Sequence, residues 1–280
     1  MTEGLNIDLH THSCCSDGAL PPAALVERAA AAGVQVLALT DHDTTAGLEA
    51  ATRRGTELGV LLVPGVEISS AWRAQSIHVL GLWIDPASAT LRKALDAQSA
   101  RREQRMRNIC QHLTRAGLPG TELLRAVQAR AGIATRAHLA AAMVERGLAR
   151  STDDVFRKYL GRGRAAQIAA HWPGIADVVG WIVAAGGVAT LAHPARYKLS
   201  AGSRRQLLAD FAASGGAALE VVSGGHAAHH IEACARWALY AGLAGSVGSD
   251  FHDPQLSWNP LGRLAKLPDG VTSVWRDRLV

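Results

Sequence analysis

Asp8, His10 and His12 alternate along what reads as a short strand, and Ser16-Asp17-Gly18 follows at once. Side chains two apart on a strand point to the same face, so the two imidazoles converge and can share one divalent cation. Alone, such a pair is equally well two exposed histidines at a strand end. The pattern, however, repeats along the chain. Asp41-His42-Asp43 closes a second apolar run, Glu67 sits within Val66-Glu67-Ile68, and His78 within Ile77-His78-Val79. His193 directly follows the apolar run 188–192, and Asp250 and His252 follow Gly248-Ser249. Each lies at or near the end of an apolar strand, mostly its carboxyl end, where active sites of barrels and open α/β sheets form. Glu67 and His78 lie inside apolar runs, where an unpaired charge is strongly penalised. A core hydrogen bond or an arginine partner explains any one of these residues. It does not explain all of them on successive strand ends.

The elements that must position them alternate. Strands are expected at 5–9, 36–40, 60–63, 65–70, 76–82, 188–192, 217–222 and 245–249. Pro21-Pro22 opens a first helix that Gly33 closes. Thr44 or Thr45 is expected to cap the next, which ends near Gly59. Further helices are read at 175–185, 204–213 and 227–241. Strand-then-helix units argue for a mostly parallel sheet, open or closed into a barrel. A long helical stretch from about Pro86 to about Arg164, broken at 117–120 and 132, interrupts that rhythm. It is read as an inserted subdomain at 95–165 within a barrel formed by 1–94 and 166–280.

Composition bounds the function. Of 280 residues 48% are apolar, which excludes a disordered chain. There is no basic-then-apolar leader and no apolar run of about 20 residues. The four cysteines (Cys14, Cys15, Cys110 and Cys234) have no Cys-x-x-Cys spacing. A soluble, reducing, cytoplasmic setting is expected, with no membrane and no evident protein partner. Between Arg92 and Arg164 stand 14 arginines and 2 lysines against 6 acidic residues, although the whole chain is only +5. A basic segment facing an acidic, metal-binding body suits a polyanionic substrate.

The pieces His10-Thr11-His12, Ser16-Asp17-Gly18, Thr40-Asp41-His42-Asp43, Gly65-Val66-Glu67, His78, Ala192-His193-Pro194 and Ser249-Asp250-Phe251-His252 resemble those of the PHP family, named for its polymerase and histidinol phosphatase members. The resemblance implies a distorted (β/α)7 TIM-like barrel holding up to three divalent metals. One would take His10, His12, Glu67 and Asp250. A second would share Glu67 and add His78 and His193. The third would take Asp17, His42 and His252. A nitrogen and oxygen donor set without thiolate suits Mn, Fe or Zn, and family habit favours manganese. Asp8, on the His10 face, is expected to orient an imidazole.

Clustered divalent metals clamp a phosphoryl group and generate hydroxide near neutral pH. Glu67 would be catalytic as the bridging carboxylate, and Asp43 or His252 could protonate the leaving oxygen. Arg101 and Arg105 share a helical face and could flank an anion. Arg102, Gln104, Thr135, Arg136, His138, Arg196 and Asp43 complete the expected substrate contacts. Arginine is the expected type because its fork pairs with phosphate oxygens. Trp72, Phe156, Tyr159 and Trp172 are candidates for stacking a base.

The segments Arg101-Arg102-Glu103-Gln104-Arg105, Thr135-Arg136-Ala137-His138, Val155-Phe156-Arg157-Lys158-Tyr159-Leu160 and His193-Pro194-Ala195-Arg196-Tyr197 look like those of bacterial 3′,5′-nucleoside bisphosphate phosphatases, which are similar to ribonuclease AM. That resemblance implies removal of the 3′-phosphate from nucleotides such as adenosine 3′,5′-bisphosphate. It also implies 5′-to-3′ degradation of short 5′-phosphorylated RNA. The rival readings are a histidinol-phosphate-type monoester phosphatase and an inactive PHP binding module.

Overall fold

A computed structural model describes residues 4–161, 164, 166, 168, 171–256 and 259–279. Seven strands lie side by side in chain order: β1 (Ile7–Asp8), β2 (Val36–Leu39), β3 (Leu61–Trp72), β4 (Gln75–Leu82), β5 (Val188–Leu191), β6 (Ala218–Ser223) and β7 (Ala244–Gly248). The first strand returns to the last. Leu9 N donates to Val247 O at 2.9 Å, Asp250 N to His10 O at 2.8 Å and His12 N to Phe251 O at 2.9 Å. The sheet is therefore a distorted, nearly closed TIM-like barrel. Strands β2 and β6 are buried along their whole length, as strands covered on both faces must be.

The helices are α1 (Pro22–Ala31), α2 (Leu48–Leu58), α3 (Ala89–Arg115), α4 (Gly120–Gln128), α5 (Arg136–Glu145), α6 (Thr152–Val155, continued by a π-turn at Phe156–Leu160), α7 (Ile175–Ala184), α8 (Ala201–Ala213) and α9 (Ala228–Ala241). Helices α2, α7 and α9 pack on the strands, with α1 against α2 and α8 between α7 and α9. Two separate apolar cores result. One fills the barrel and its flanking helices. The other gathers Met106, Ile109, Leu113, Leu123, Leu139 and Met143 from α3, α4 and α5. Helix α3 begins in the first, at Leu91 and Leu95, and ends in the second. The end of the helical stretch, expected near Arg164, falls where residues 162, 163 and 165 lie outside the described set.

Three expectations change. The two strands read at 60–63 and 65–70 are one strand, β3, running through Pro64, whose fixed φ suits extended backbone. Strand β4 runs antiparallel to both neighbours, so the sheet is mixed, being parallel at β1–β2, β2–β3, β5–β6 and β6–β7. This reversal explains why His78 lies near the start of its strand: the start of β4 is at the barrel's active end. The cap of α2 is Gly47, with no side-chain bond; Thr44 Oγ1 instead accepts from Ala46 N at 3.2 Å.

Phe211 of α8 is fully buried. Its ring lies where a Cβ on Gly216 would come within 2.3 Å of it, so only glycine admits it. Phe211→Ala should therefore cost about 3–5 kcal/mol of stability, read from urea unfolding.

Candidate metal centre and anion cleft

Glu67 lies mid-way along β3, opposite Leu80, while Ser69 lies opposite His78. Diagonal neighbours across an antiparallel pair share a face, which brings Glu67 and His78 together. The two carboxylate oxygens of Glu67 face different groups. Oε2 lies 3.3 Å from His10 Nε2, 3.3 Å from His12 Nε2 and 3.0 Å from His42 Nδ1. Oε1 lies 2.9 Å from His78 Nδ1 and 3.0 Å from His193 Nε2. Asp250 Oδ1 stands 3.3 Å from both His10 Nε2 and His12 Nε2. Asp17 Oδ1 stands 3.4 Å from His252 Nε2 and 3.9 Å from His42 Nε2.

Three overlapping groups of donors can each hold a cation: His10, His12, Glu67 and Asp250; His42, Glu67 and His78; and His12, Asp17, His42 and His252. The first matches the expected set residue for residue. In the second, His42 stands where His193 was expected, although His193 is just as near Glu67. The third adds His12 to the expected three.

The donor geometry fits metal. Corners 3.3 Å apart on a tetrahedron surround a centre about 2.0 Å away, the length of a zinc–nitrogen bond. Among the described residues His42 Nδ1 and Asp17 Oδ1 are buried, and their close neighbours do not meet them in hydrogen-bond geometry. Burial opposes charge on Glu67, yet His42, His78 and His10 hold its carboxyl well below the usual carboxylate range. Burial likewise disfavours charge on His12, but Asp250 and Glu67 raise it to about 10. Without metal the cluster therefore keeps protons that a cation must displace.

Surrounding groups fix these side chains. His10 Nδ1 donates to Glu220 Oε1 at 2.8 Å, and Glu220 Oε2 accepts from His193 N at 2.5 Å. His252 Nδ1 donates to Asp250 O at 2.8 Å, leaving Nε2 toward Asp17. Arg196 holds Asp250 Oδ2, leaving Oδ1 for the cluster. Asp41 accepts from Ser13 N, Ser13 Oγ and Ser16 Oγ and so pins the loop that carries Asp17. Asp43, His193 and Asp250 all have positive φ, at 49°, 31° and 55°; strained backbone of this kind collects at functional sites. Asp8 does not orient an imidazole. Its Oδ1 accepts from Ser249 N at 2.8 Å and His10 N at 3.3 Å, tying β1 to β7.

A cleft opens beside the cluster, lined by Asp17, His42 and His78, by Arg102 and Arg105 of α3 and by Thr135 and Arg136 at the start of α5. Arg102 is nearly buried; its Nε donates to Asp43 Oδ2 at 2.6 Å and its Nη2 to Ser69 Oγ at 2.7 Å. Gln98 bonds Asp43 Oδ1 and Ser69 O. The guanidiniums of Arg102 and Arg105 lie 5.3 and 5.4 Å from the Trp172 ring, and Arg136 lies 5.5 Å from Phe156. Burial, then the charges of Arg136 and Arg102, push Arg105 down to about 10, and its Nε is a buried donor without a partner. Three like charges crowded together stabilise a bound anion. Thr135 caps α5 by accepting from His138 N at 3.2 Å and so seats Arg136.

Several expected contacts are elsewhere. Arg101 is exposed and reaches Gln98 Oε1 at 3.4 Å, so Arg102 and Arg105, not Arg101 and Arg105, face the cleft together. Gln104 is exposed and bonds Asn108. Asp43 spends both oxygens on Arg102, Gln98 and Ser69 N, leaving neither for a reacting group. Trp72 donates to Asp210 and Tyr159 packs against the second apolar core, whereas Trp172 and Phe156 line the cleft. Sequence reading missed Glu220 and Gln98. Glu220, a carboxylate inside the apolar run Leu219-Glu220-Val221, carries the same signal that marked Glu67; Gln98 carries none.

The PHP domain model matches residues 8–183. The chain belongs to the PHP family. A 5′-3′ exoribonuclease of Haemophilus influenzae is 42% identical to this PHP protein over 272 residues, 96% of this chain and 97% of its own. A 3′,5′-nucleoside bisphosphate phosphatase of Chromobacterium violaceum is 39% identical over 274 residues, 97% of this chain and 96% of its own. A solved amidohydrolase structure from Chromobacterium violaceum, with bound sulfate and no metal, superposes with a TM-score of 0.91 at 38% identity, covering 97% of this chain and 95% of that one.

Glu67→Gln should lower bound metal by at least one equivalent, measured by elemental analysis, because one carboxylate serves two donor groups. Metal loading should release protons, and affinity should weaken as pH falls, since His12 must lose the proton it holds below about 10. Calorimetry in two buffers of different ionisation heat reads that release.

Proposed function

We propose that this PHP protein is a metal-dependent phosphoesterase that removes the 3′-phosphate of nucleoside 3′,5′-bisphosphates and degrades short 5′-phosphorylated RNA from its 5′ end. The observation that carries this is one cleft with two phosphate-sized features: a multi-metal donor cluster and, beside it, the guanidiniums of Arg102, Arg105 and Arg136. A substrate with one phosphate needs only the first. One relative is named for a substrate with two phosphoryl groups, a nucleoside 3′,5′-bisphosphate, and another for 5′-3′ exoribonuclease action.

Three divalent ions, manganese foremost and iron or zinc next, would be held by His10, His12, Glu67 and Asp250; by Glu67, His78, His193 and His42; and by Asp17, His42 and His252. When bound, such ions polarise a phosphoryl oxygen and make water a nucleophile near neutral pH. The chain's own residues position. Arg105 and Arg136 clamp the 5′-phosphate, Asp43 and Ser69 hold the plane of Arg102, and Trp172 and Phe156 bound the nucleoside. Glu220 and Arg196 fix the aim of His10 and Asp250. Asp43 is then a positioning residue. His252 directs Nε2 to the third donor group. Residues 95–165 act as the recognition insert on the barrel of 1–94 and 166–280, supported by their separate core. Free cysteines suit a reducing, cytoplasmic setting, and among the described residues no helix is long and apolar enough to cross a membrane.

Turnover of adenosine 3′,5′-bisphosphate should far exceed that of histidinol phosphate, and 5′-phosphorylated oligoribonucleotides should yield mononucleotides; faster histidinol phosphate turnover overturns the reading. Arg136→Ala should raise KM for the bisphosphate by about tenfold, the loss of one charge-assisted contact, while sparing p-nitrophenyl phosphate. Equal loss on both substrates would contradict its recognition role.

A further inference from the structure

A second cleft lies on the other side of the metal centre. The first is bounded by His42, which follows β2, by Ser69 of β3 and by His78 of β4. The second is lined by Ser223 at the end of β6, by His226 and Ala227 leading into α9, and by Asn259 and Arg263 after β7. Its wall adjoins the metal ligands. Asn259 Nδ2 donates to Asp250 O at 2.6 Å, and Gly224 N donates to Gly248 O at 3.0 Å. A Cβ on Gly224 would lie 1.9 Å from Ser249 O, so the loop presses directly on the strand end that carries Asp250.

The lining is polar and incompletely satisfied. Ser223 and Asn259 are 2% and 1% exposed. Among the described residues Ser223 Oγ, Asn259 Oδ1 and His226 Nε2 are buried without a hydrogen-bond partner. Such groups are costly unless something pairs with them. His226 Nδ1 accepts from Ser223 N at 3.3 Å, which puts the ring proton on Nε2 as a donor. Helix α9, 14 residues long, starts in this cleft at Ala227 with no side-chain cap, and its dipole favours an anion there. A hydroxyl, an imidazole N–H, a guanidinium and a helix amino end suit a phosphodiester. The unpaired Asn259 Oδ1 suits a hydroxyl donor such as the ribose 2′-OH, which DNA lacks.

We infer that this cleft seats the ribonucleotide on the 3′ side of the scissile phosphate, with its following phosphodiester at His226, Arg263 and the start of α9. The inference rests on the proposed function. With the 5′-phosphate at Arg105 and Arg136 and the scissile phosphate over the metal ligands, the rest of an RNA chain leaves toward β6 and β7. A mononucleotide bisphosphate never reaches that far.

The test compares kcat/KM for adenosine 3′,5′-bisphosphate and for a 5′-phosphorylated triadenylate in the wild type, His226→Ala and Arg263→Ala. The ratio of triadenylate to bisphosphate should fall roughly tenfold in each variant, and His226→Gln, which keeps a donor, should recover part of it. An unchanged ratio overturns the inference and leaves the phosphoesterase reading standing. If the wild type turns over neither substrate, that reading fails and takes the inference with it.

Discussion

A carboxylate withdrawn from water at the middle of a barrel is untenable unless opposite charge or metal surrounds it. Glu67 is such a group, and the architecture converges on satisfying it. Imidazoles from the ends of β1, β2 and β5 and from within β4 approach its two oxygens. Because those donors come from segments as far apart as His10 and His193, the centre exists only once the sheet has wrapped round. Closure and assembly of the cluster are linked through short-range contacts: the bonds that bring β7 back to β1 also deliver Asp250 to His10 and His12.

What surrounds the cluster has a second task, holding charged groups away from one another's preferred positions. Glu220 spans His10 and the His193 backbone, and Arg196 engages the outer oxygen of Asp250. Asp43 does the same for Arg102. These supports stand one bond behind the groups expected to touch substrate, and their carboxylates are nearly or fully buried. A rigid outer layer of this kind keeps a multi-ligand site preorganised.

Much of this was legible in the residues. Strand-end histidines and carboxylates announce themselves because charge inside apolar runs needs a reason, and His10, His12, Glu67 and Asp250 do meet around one point. The alternating elements likewise follow from apolar periodicity and from stops such as Gly59, which has a left-handed φ of 68°. The direction of β4 was not legible, since periodicity carries no information about which way a strand runs. Nor was the choice between Arg101 and Arg102. Both sit on the same helix, and only the approach of Asp43 and Ser69 decides which one turns inward. Asp43 read as an unligated group beside the metals that could protonate the leaving oxygen; its orientation, set by a left-handed backbone, turns it instead toward Gln98 and Arg102 of α3.

Helix α3 runs 27 residues without interruption from one apolar core into the other. At 1.5 Å per residue it is about 40 Å long. A strut anchored at both ends transmits position rather than absorbing it, so the arginines it carries stand at a set distance from the histidine and carboxylate cluster. The protein thus carries its own calliper, with imidazoles and carboxylates on one jaw and guanidiniums on the other.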